Sequence, residues 1–267
     1  WYDEVRKEFY LAAFTRHQPE LNWRNPELKK EMFDLVRYWF DMGVDGFRLD
    51  VINCYMKDDK LRSNPYALQL PDLQNHIYDR NRPEAIEICR ELREKTDCYT
   101  GKMLVGEIFA DDSKLAASYY GKNNDALHMA FNFDFLLQSW NAKGIYESVK
   151  KWYTNLSAGA WPNFTFSNHD HPRHYYRYRS GKWSEARAKL CRDLSRTPMQ
   201  WDGTVNSGFT RGKPWLPVDK NYINNNVEVQ KQNPGSLLNF YRKLIWLRKS
   251  QPALQEGNIT FLEKYLP

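Results

Sequence analysis

The sequence predicts an α/β fold of parallel strands with helices packed outside them, and three observations carry that prediction. Helix signals and short apolar runs alternate along the chain. Each apolar run closes on a polar or acidic residue. The Gly-rich phosphate loop usual in open doubly wound sheets is missing, so these carboxyl ends read as the mouth of an α/β barrel.

Asn25-Pro26 starts a helix, a capping side chain followed by Pro at the first helical position. Leu28, Met32, Leu35, Val36 and Trp39 recur at helical spacing, and Gly43 ends the helix. The run from Val44 to Asp50 is a strand ending in a charge. Lys57 to Asn81 is a long connection over the barrel mouth. Pro83 opens a second helix with Ile86, Cys89 and Leu92 on one face. Met103 to Glu107 is a second strand, Ala130 to Phe135 a third and Asn163 to Asp170 a fourth. The chain is irregular from Asp202 to Pro234, and Leu237, Tyr241, Leu244 and Leu247 mark a last helix. Residues 1–256 form one partial barrel domain, and 257–267 read as the start of a C-terminal β domain.

The 267 residues suffice for a sizeable core. The net charge of +6 is dispersed, with basic and acidic residues interleaved as in Arg90-Glu91-Leu92-Arg93-Glu94-Lys95, which speaks against nucleic acid as a partner. Four Cys without metal or redox spacing point to reduced, buried thiols. No run of eighteen apolar residues occurs and the N-terminus lacks signal-peptide regions, so no membrane partner and a cytoplasmic location are expected. Ten Trp and seventeen Tyr exceed what a core needs, and such rings can stack on sugar faces.

Asp50 and Glu107 close neighbouring apolar runs. Glycoside hydrolysis needs such a pair, a nucleophile or base on one side of the anomeric carbon and a proton donor on the other. Arg48, two residues before Asp50, points to the same face of the strand and can keep that carboxylate ionised and aimed. Asp170 ends a further run and can stabilise positive charge on a sugar ring. Any one of these acids alone is ordinary surface chemistry; three together, each ending a strand, describe a site.

Gly46-Phe47-Arg48-Leu49-Asp50, Gly106-Glu107-Ile108-Phe109 and Ser167-Asn168-His169-Asp170 resemble three successive signature regions of the α-amylase family. Gln18-Pro19-Glu20-Leu21-Asn22 resembles the extra region of its oligo-1,6-glucosidase branch, which usually has Asp at the position of Glu20. Ser195-Arg196-Thr197-Pro198-Met199-Gln200-Trp201-Asp202 also resembles a segment of that branch. The resemblance implies a (β/α)8 barrel of which strands four to seven are recognisable. It implies Asp50 as nucleophile, Glu107 as acid and base, and Asp170 as stabiliser of the distorted ring. Arg48, Val51, His169 and Arg196 would bind substrate, a short oligosaccharide with α-1,6 bonds, α-1,4 bonds being the second candidate.

Two departures from the family pattern are expected to matter. The first signature region would precede residue 1, together with three barrel strands and any family calcium site. The segment between Asp170 and Arg196, passing through Ala188-Lys189-Leu190-Cys191, is too short to hold an eighth strand. No cofactor is expected: His169, His171 and His174 lack a Cys or acidic partner at a zinc spacing. The competing expectation is a fragment, or a non-catalytic module of the same fold such as the heavy chains of amino-acid transporters. Those heavy chains have lost the acids that this chain keeps.

Overall fold

A computed structural model describes residues 1–69, 73–110, 112–179 and 192–262. The chain divides into two units, Trp1–Thr165 and Phe166–Pro267.

The first unit opens with a short antiparallel pair, β1 (Tyr2–Asp3) and β2 (Glu8–Phe9). Helix α1 (Pro26–Asp41) begins where the sequence predicts. The Asn25 side chain accepts from the N–H groups of Glu27 and Leu28, and Pro26 needs no N–H at the first helical position. Its buried residues are Phe33 and Phe40, with Leu28, Met32 and Val36 packed against the core. Leu35 and Trp39, expected on that face, stay exposed. Each precedes an inward residue by one position, about 100° around the helix.

Strands β3 (Gly46–Leu49), β4 (Met103–Gly106) and β5 (Met129–Ala130) form a parallel sheet in that order. Gly46 pairs with Met103 and Leu49 with Gly106, while Gly106 also pairs with Ala130. Two glycines set this close fit. A Cβ on Gly46 would lie 2.3 Å from the Met103 carbonyl oxygen, and one on Gly106 would lie 2.3 Å from Leu127 Cδ1. Helix α2 (Pro83–Asp97) crosses between β3 and β4 and buries Ala85, Ile88, Cys89 and Leu92. Leu104, Ala130 and Ile52 are wholly enclosed in the same core, as is Trp152 of a helix spanning Ala142–Asn155. Fully burying a Leu or Ile side chain such as Leu104 or Ile52 stabilises by about 1.5–3 kcal/mol.

Two expected strands differ. The third is only Met129–Ala130, because the Asn132 side chain accepts from the Phe135 N–H at 3.0 Å and starts a helix, Phe133–Leu137. Asn163 to Asp170 forms no strand. There Asn168 Oδ1 accepts from the N–H groups of Asp170 (3.0 Å) and His171 (2.8 Å) and curls the chain into a turn. The parallel α/β architecture therefore stands. Among the described residues, however, the sheet has three parallel strands and does not close into a barrel.

The second unit contains helices His174–Arg179, Val227–Gln232 and Leu237–Ser250. The middle one lies in a stretch expected to be irregular; its cap is Asn226, whose side chain accepts from the Val229 N–H. Ala188–Cys191 lies outside the described residues. No helix among the described residues is long and apolar enough to cross a membrane.

His128 links this sheet to pH. Its Nδ1 accepts the Leu104 N–H at 3.0 Å, which requires that nitrogen to be unprotonated. Burial, reinforced by Arg93 and opposed by Asp97, holds its pKa below the ordinary 6.5. A histidine depressed in the folded state takes up its proton more readily when unfolded, so its stabilising contribution is lost as pH falls below 6.5. The melting temperature of the wild type should thus drop more than that of His128→Gln between about pH 7 and pH 5.5. Parallel curves would remove His128 from the pH response.

Candidate active site

The register of β3 against β4 carries two acids to adjacent strand ends. Past the ladder, the Glu107 N–H donates to the Leu49 carbonyl at 2.9 Å and the Ile52 N–H donates to the Glu107 carbonyl at 3.1 Å. With Leu49 opposite Gly106, Asp50 falls opposite Glu107. Arg48 and Asp50 share a face by strand alternation, as do Val105 and Glu107.

The Arg48 guanidinium bridges both acids. One terminal nitrogen lies 2.6 Å from Asp50 Oδ1, and the other bonds to Glu107 Oε2. The two carboxylates differ in surroundings, for the Asp50 side chain is 69% exposed and that of Glu107 only 7%. An accessible carboxylate beside an enclosed one, held by a shared cation, is an arrangement able to divide nucleophilic and proton-transfer work.

Val51, directly after Asp50, adopts φ +42 and ψ +48. A β-branched residue in this left-handed region costs on the order of 1–3 kcal/mol and persists only where its surroundings enforce it. Here the enforcement is the next residue, Ile52, which is wholly buried with its N–H bonded to Glu107. Tyr55 follows, stacked on Trp23 with ring centroids 5.0 Å apart. Burial and then the charge of Asp50 push its hydroxyl up to about 12. Trp23 and Tyr55 line a cavity of about 340 Å³ together with Glu20 and Lys57, whose charged groups are 3.5 Å apart.

The second unit holds the other expected residues. Asp170 Oδ1 is 2.9 Å from Arg196, 3.3 Å from Arg192 and 3.6 Å from His169. Arg196 Nε also donates to the His169 carbonyl at 3.0 Å, so one guanidinium fixes both residues. Arg192 was not among the expected residues; its place four positions before Arg196 was the available signal. Each of the two groups is thus assembled within its own unit, Arg48, Asp50, Val51 and Glu107 in the first and His169, Asp170 and Arg196 in the second. The neighbouring histidines have local partners: His171 Nδ1 faces Asn168 Oδ1 and His174 Nδ1 faces the Ser167 hydroxyl, each at 2.9 Å. Among the described residues no group of three or more His, Cys, Asp or Glu side chains is placed to hold a metal ion.

A family profile described as alpha amylase, catalytic domain, matches residues 1–192 and 179–257. The chain belongs to the alpha-amylase family. A probable alpha-glucosidase of Rhizobium meliloti (strain 1021) is 31% identical over 321 residues, covering 98% of this chain and 58% of that protein. An oligo-1,6-glucosidase of Parageobacillus thermoglucosidasius is 28% identical, covering 96% of this chain and 59% of that one. Among solved structures, the alpha-glucosyl transfer enzyme XgtA matches with a TM-score of 0.84 at 31% identity, over 95% of this chain and 58% of its own. This alpha-amylase family chain therefore spans somewhat more than half the length of the relatives it matches. Its two profile matches overlap at 179–192, between Asp170 and Arg196. The alignment to the Rhizobium protein covers 321 residues although this chain has 267, so that relative carries residues inside the aligned span that this chain lacks.

The Arg48 bridge yields a measurable coupling. Arg48→Met removes the Arg48 bond from the enclosed Glu107 carboxylate and should cost about 1–3 kcal/mol in urea unfolding. In a Glu107→Gln background the same change should cost less by about 0.5–3 kcal/mol, the range for residues in direct contact. Equal costs in both backgrounds would mean that the bridge contributes nothing to stability.

Proposed function

We propose that the chain is the catalytic part of a retaining α-glucosidase acting on α-glucosidic bonds of short oligosaccharides, α-1,6 bonds included, from the non-reducing end. The observation that carries this reading is the Arg48 bridge between Asp50 and Glu107 at adjacent parallel strand ends. In the proposed mechanism an Asp50 carboxylate oxygen attacks the anomeric carbon as the glycosidic C–O bond breaks, and Glu107 gives its proton to the leaving oxygen. Glu107, now a carboxylate, takes a proton from water; that water attacks the same carbon and releases Asp50. Arg48 would exchange its bond to Glu107 for bonds to the sugar. Asp170, held by Arg196, would stabilise the oxocarbenium-like ring beside His169. Val51 would shape the pocket for the leaving sugar. The names of the relatives, alpha-glucosidase and oligo-1,6-glucosidase, support the substrate class. The likeness to XgtA, an alpha-glucosyl transfer enzyme, supports a second reading, in which a sugar hydroxyl takes the place of water as acceptor.

The overlap at 179–192 and the longer alignment support the view of an internally shortened copy, and the non-catalytic module remains the competing outcome. The test is to assay the 267-residue chain on an aryl α-glucoside, with NMR of the first-formed sugar. The expected product is α-glucose; β-glucose would exclude a covalent route, and no release at all would favour the module. Adding a second sugar at high concentration separates transfer from hydrolysis.

Given turnover, Glu107→Gln should lower kcat on isomaltose by about 10²–10⁴-fold. The loss should be smaller on an aryl glucoside, whose leaving oxygen needs little protonation. Equal losses on both would remove the acid role. Val51→Thr should lower kcat/KM on isomaltose relative to maltose; an unchanged ratio would count against Val51 as a linkage determinant.

A further inference from the structure

Asn53 lies three residues after Asp50, in the 3-10 turn Ile52–Cys54, and is wholly buried. No step of the proposed mechanism uses it. A buried amide has to satisfy both its oxygen and its nitrogen. Its Nδ2 donates to Asn81 Oδ1 at 2.9 Å and to the Phe109 carbonyl at 3.2 Å, and its Oδ1 accepts from the Phe109 N–H at 3.1 Å. The Asn53 backbone carbonyl accepts from the Asn81 N–H at 2.7 Å. One residue therefore joins the loop after β3 to the loop after β4 and to the chain entering α2.

We infer that Asn53 is a positioning residue that fixes Asp50 and Glu107 relative to one another. The inference rests on the hydrolase reading of those two acids. The strand ladder ends at Leu49 and Gly106, and only two further backbone bonds follow it. Beyond them the chain leaves extended geometry at Val51, so the β3 side offers no further strand rung to the Phe109 backbone. The Asn53 amide takes that place: it engages both the N–H and the C=O of Phe109, as a hydrogen-bonded pair of an antiparallel ladder does. Asp50 then sits between two anchors, Leu49 and Asn53, and Glu107 between Gly106 and Phe109. Without the amide, only the buried Ile52 and its single bond to Glu107 oppose relaxation of the strained Val51, to which Asp50 is attached. The Arg48 bridge is a weak substitute, since its side chain is 36% exposed and open to solvent competition.

The test uses the 267-residue chain and its variants Asn53→Ala and Asn53→Asp. The second keeps an acceptor for the Phe109 N–H and loses both donated bonds, so it serves if the first does not fold. Leu92→Ala, in the core beneath the sheet, is the control for lost stability alone. Both Asn53 variants should lower kcat on an aryl α-glucoside by about a hundredfold, the penalty for roughly 1 Å of misplacement, with KM changed little. Leu92→Ala should leave kcat per folded molecule unchanged. Hydrogen exchange should accelerate at Ile52 and across 107–110 together in the Asn53 variants. Kinetics of the Asn53 variants matching those of Leu92→Ala would overturn the positioning role. If the wild-type chain releases no glucose, the hydrolase reading fails on its own. Faster exchange confined to 52–54, with 107–110 unchanged, then overturns the clamp.

Discussion

The parallel register of β3 against β4 is the constraint on which the candidate site depends. Leu49 opposite Gly106 leaves Asp50 and Glu107 as the first residues past the ladder, on one face and within reach of one guanidinium. A slip of one residue would turn either acid into the helix layer and bring its apolar neighbour out. The register is enforced by volume. A Cβ at Gly46 would meet the Met103 backbone carbonyl, and one at Gly106 would meet the end of the buried Leu127 side chain. Two glycines at opposite ends of a four-residue pairing thereby determine where two carboxylates emerge.

Much of this was legible in the sequence, and the reasons are local. Asn25-Pro26 and Pro83 announce helix starts because capping and proline act within one turn. The runs ending at Asp50 and Glu107 read as strands because β-strand pattern and terminal charge coincide there. What escaped was set by side chains bonding to nearby backbone. Asn132 converts the run Ala130 to Phe135 from strand to helix after two residues, and Asn168 turns the run ending at Asp170. An Asn inside an apolar run is the same letter whether it caps, turns or faces solvent. Asn53 was invisible for a related reason: its partners Asn81 and Phe109 lie 28 and 56 residues away, and no periodicity links them.

The two units are stabilised by different interactions. The buried hydrophobic side chains among the described residues lie between Trp23 and Trp152. Among the described residues of the second unit, the buried side chains include the polar Arg177, Ser207, Asn226 and Ser236, with Pro172 and Pro198. Asn239 Nδ2 donates to the carbonyls of Gln230 at 2.9 Å and Asn233 at 2.8 Å, joining the helix Leu237–Ser250 to the turn before it. Such bonds contribute about 0.5–1.5 kcal/mol each, whereas apolar burial grows with area.

The left-handed Val51 has a consequence for directed evolution of this chain. A glycine or asparagine tolerates that backbone far better than valine, so libraries screened on thermal resistance will enrich for them at position 51. The same enrichment frees the peptide that carries Asp50 and removes the branched side chain beside it. If the proposed activity holds, heat selection and turnover selection would pull this one codon in opposite directions.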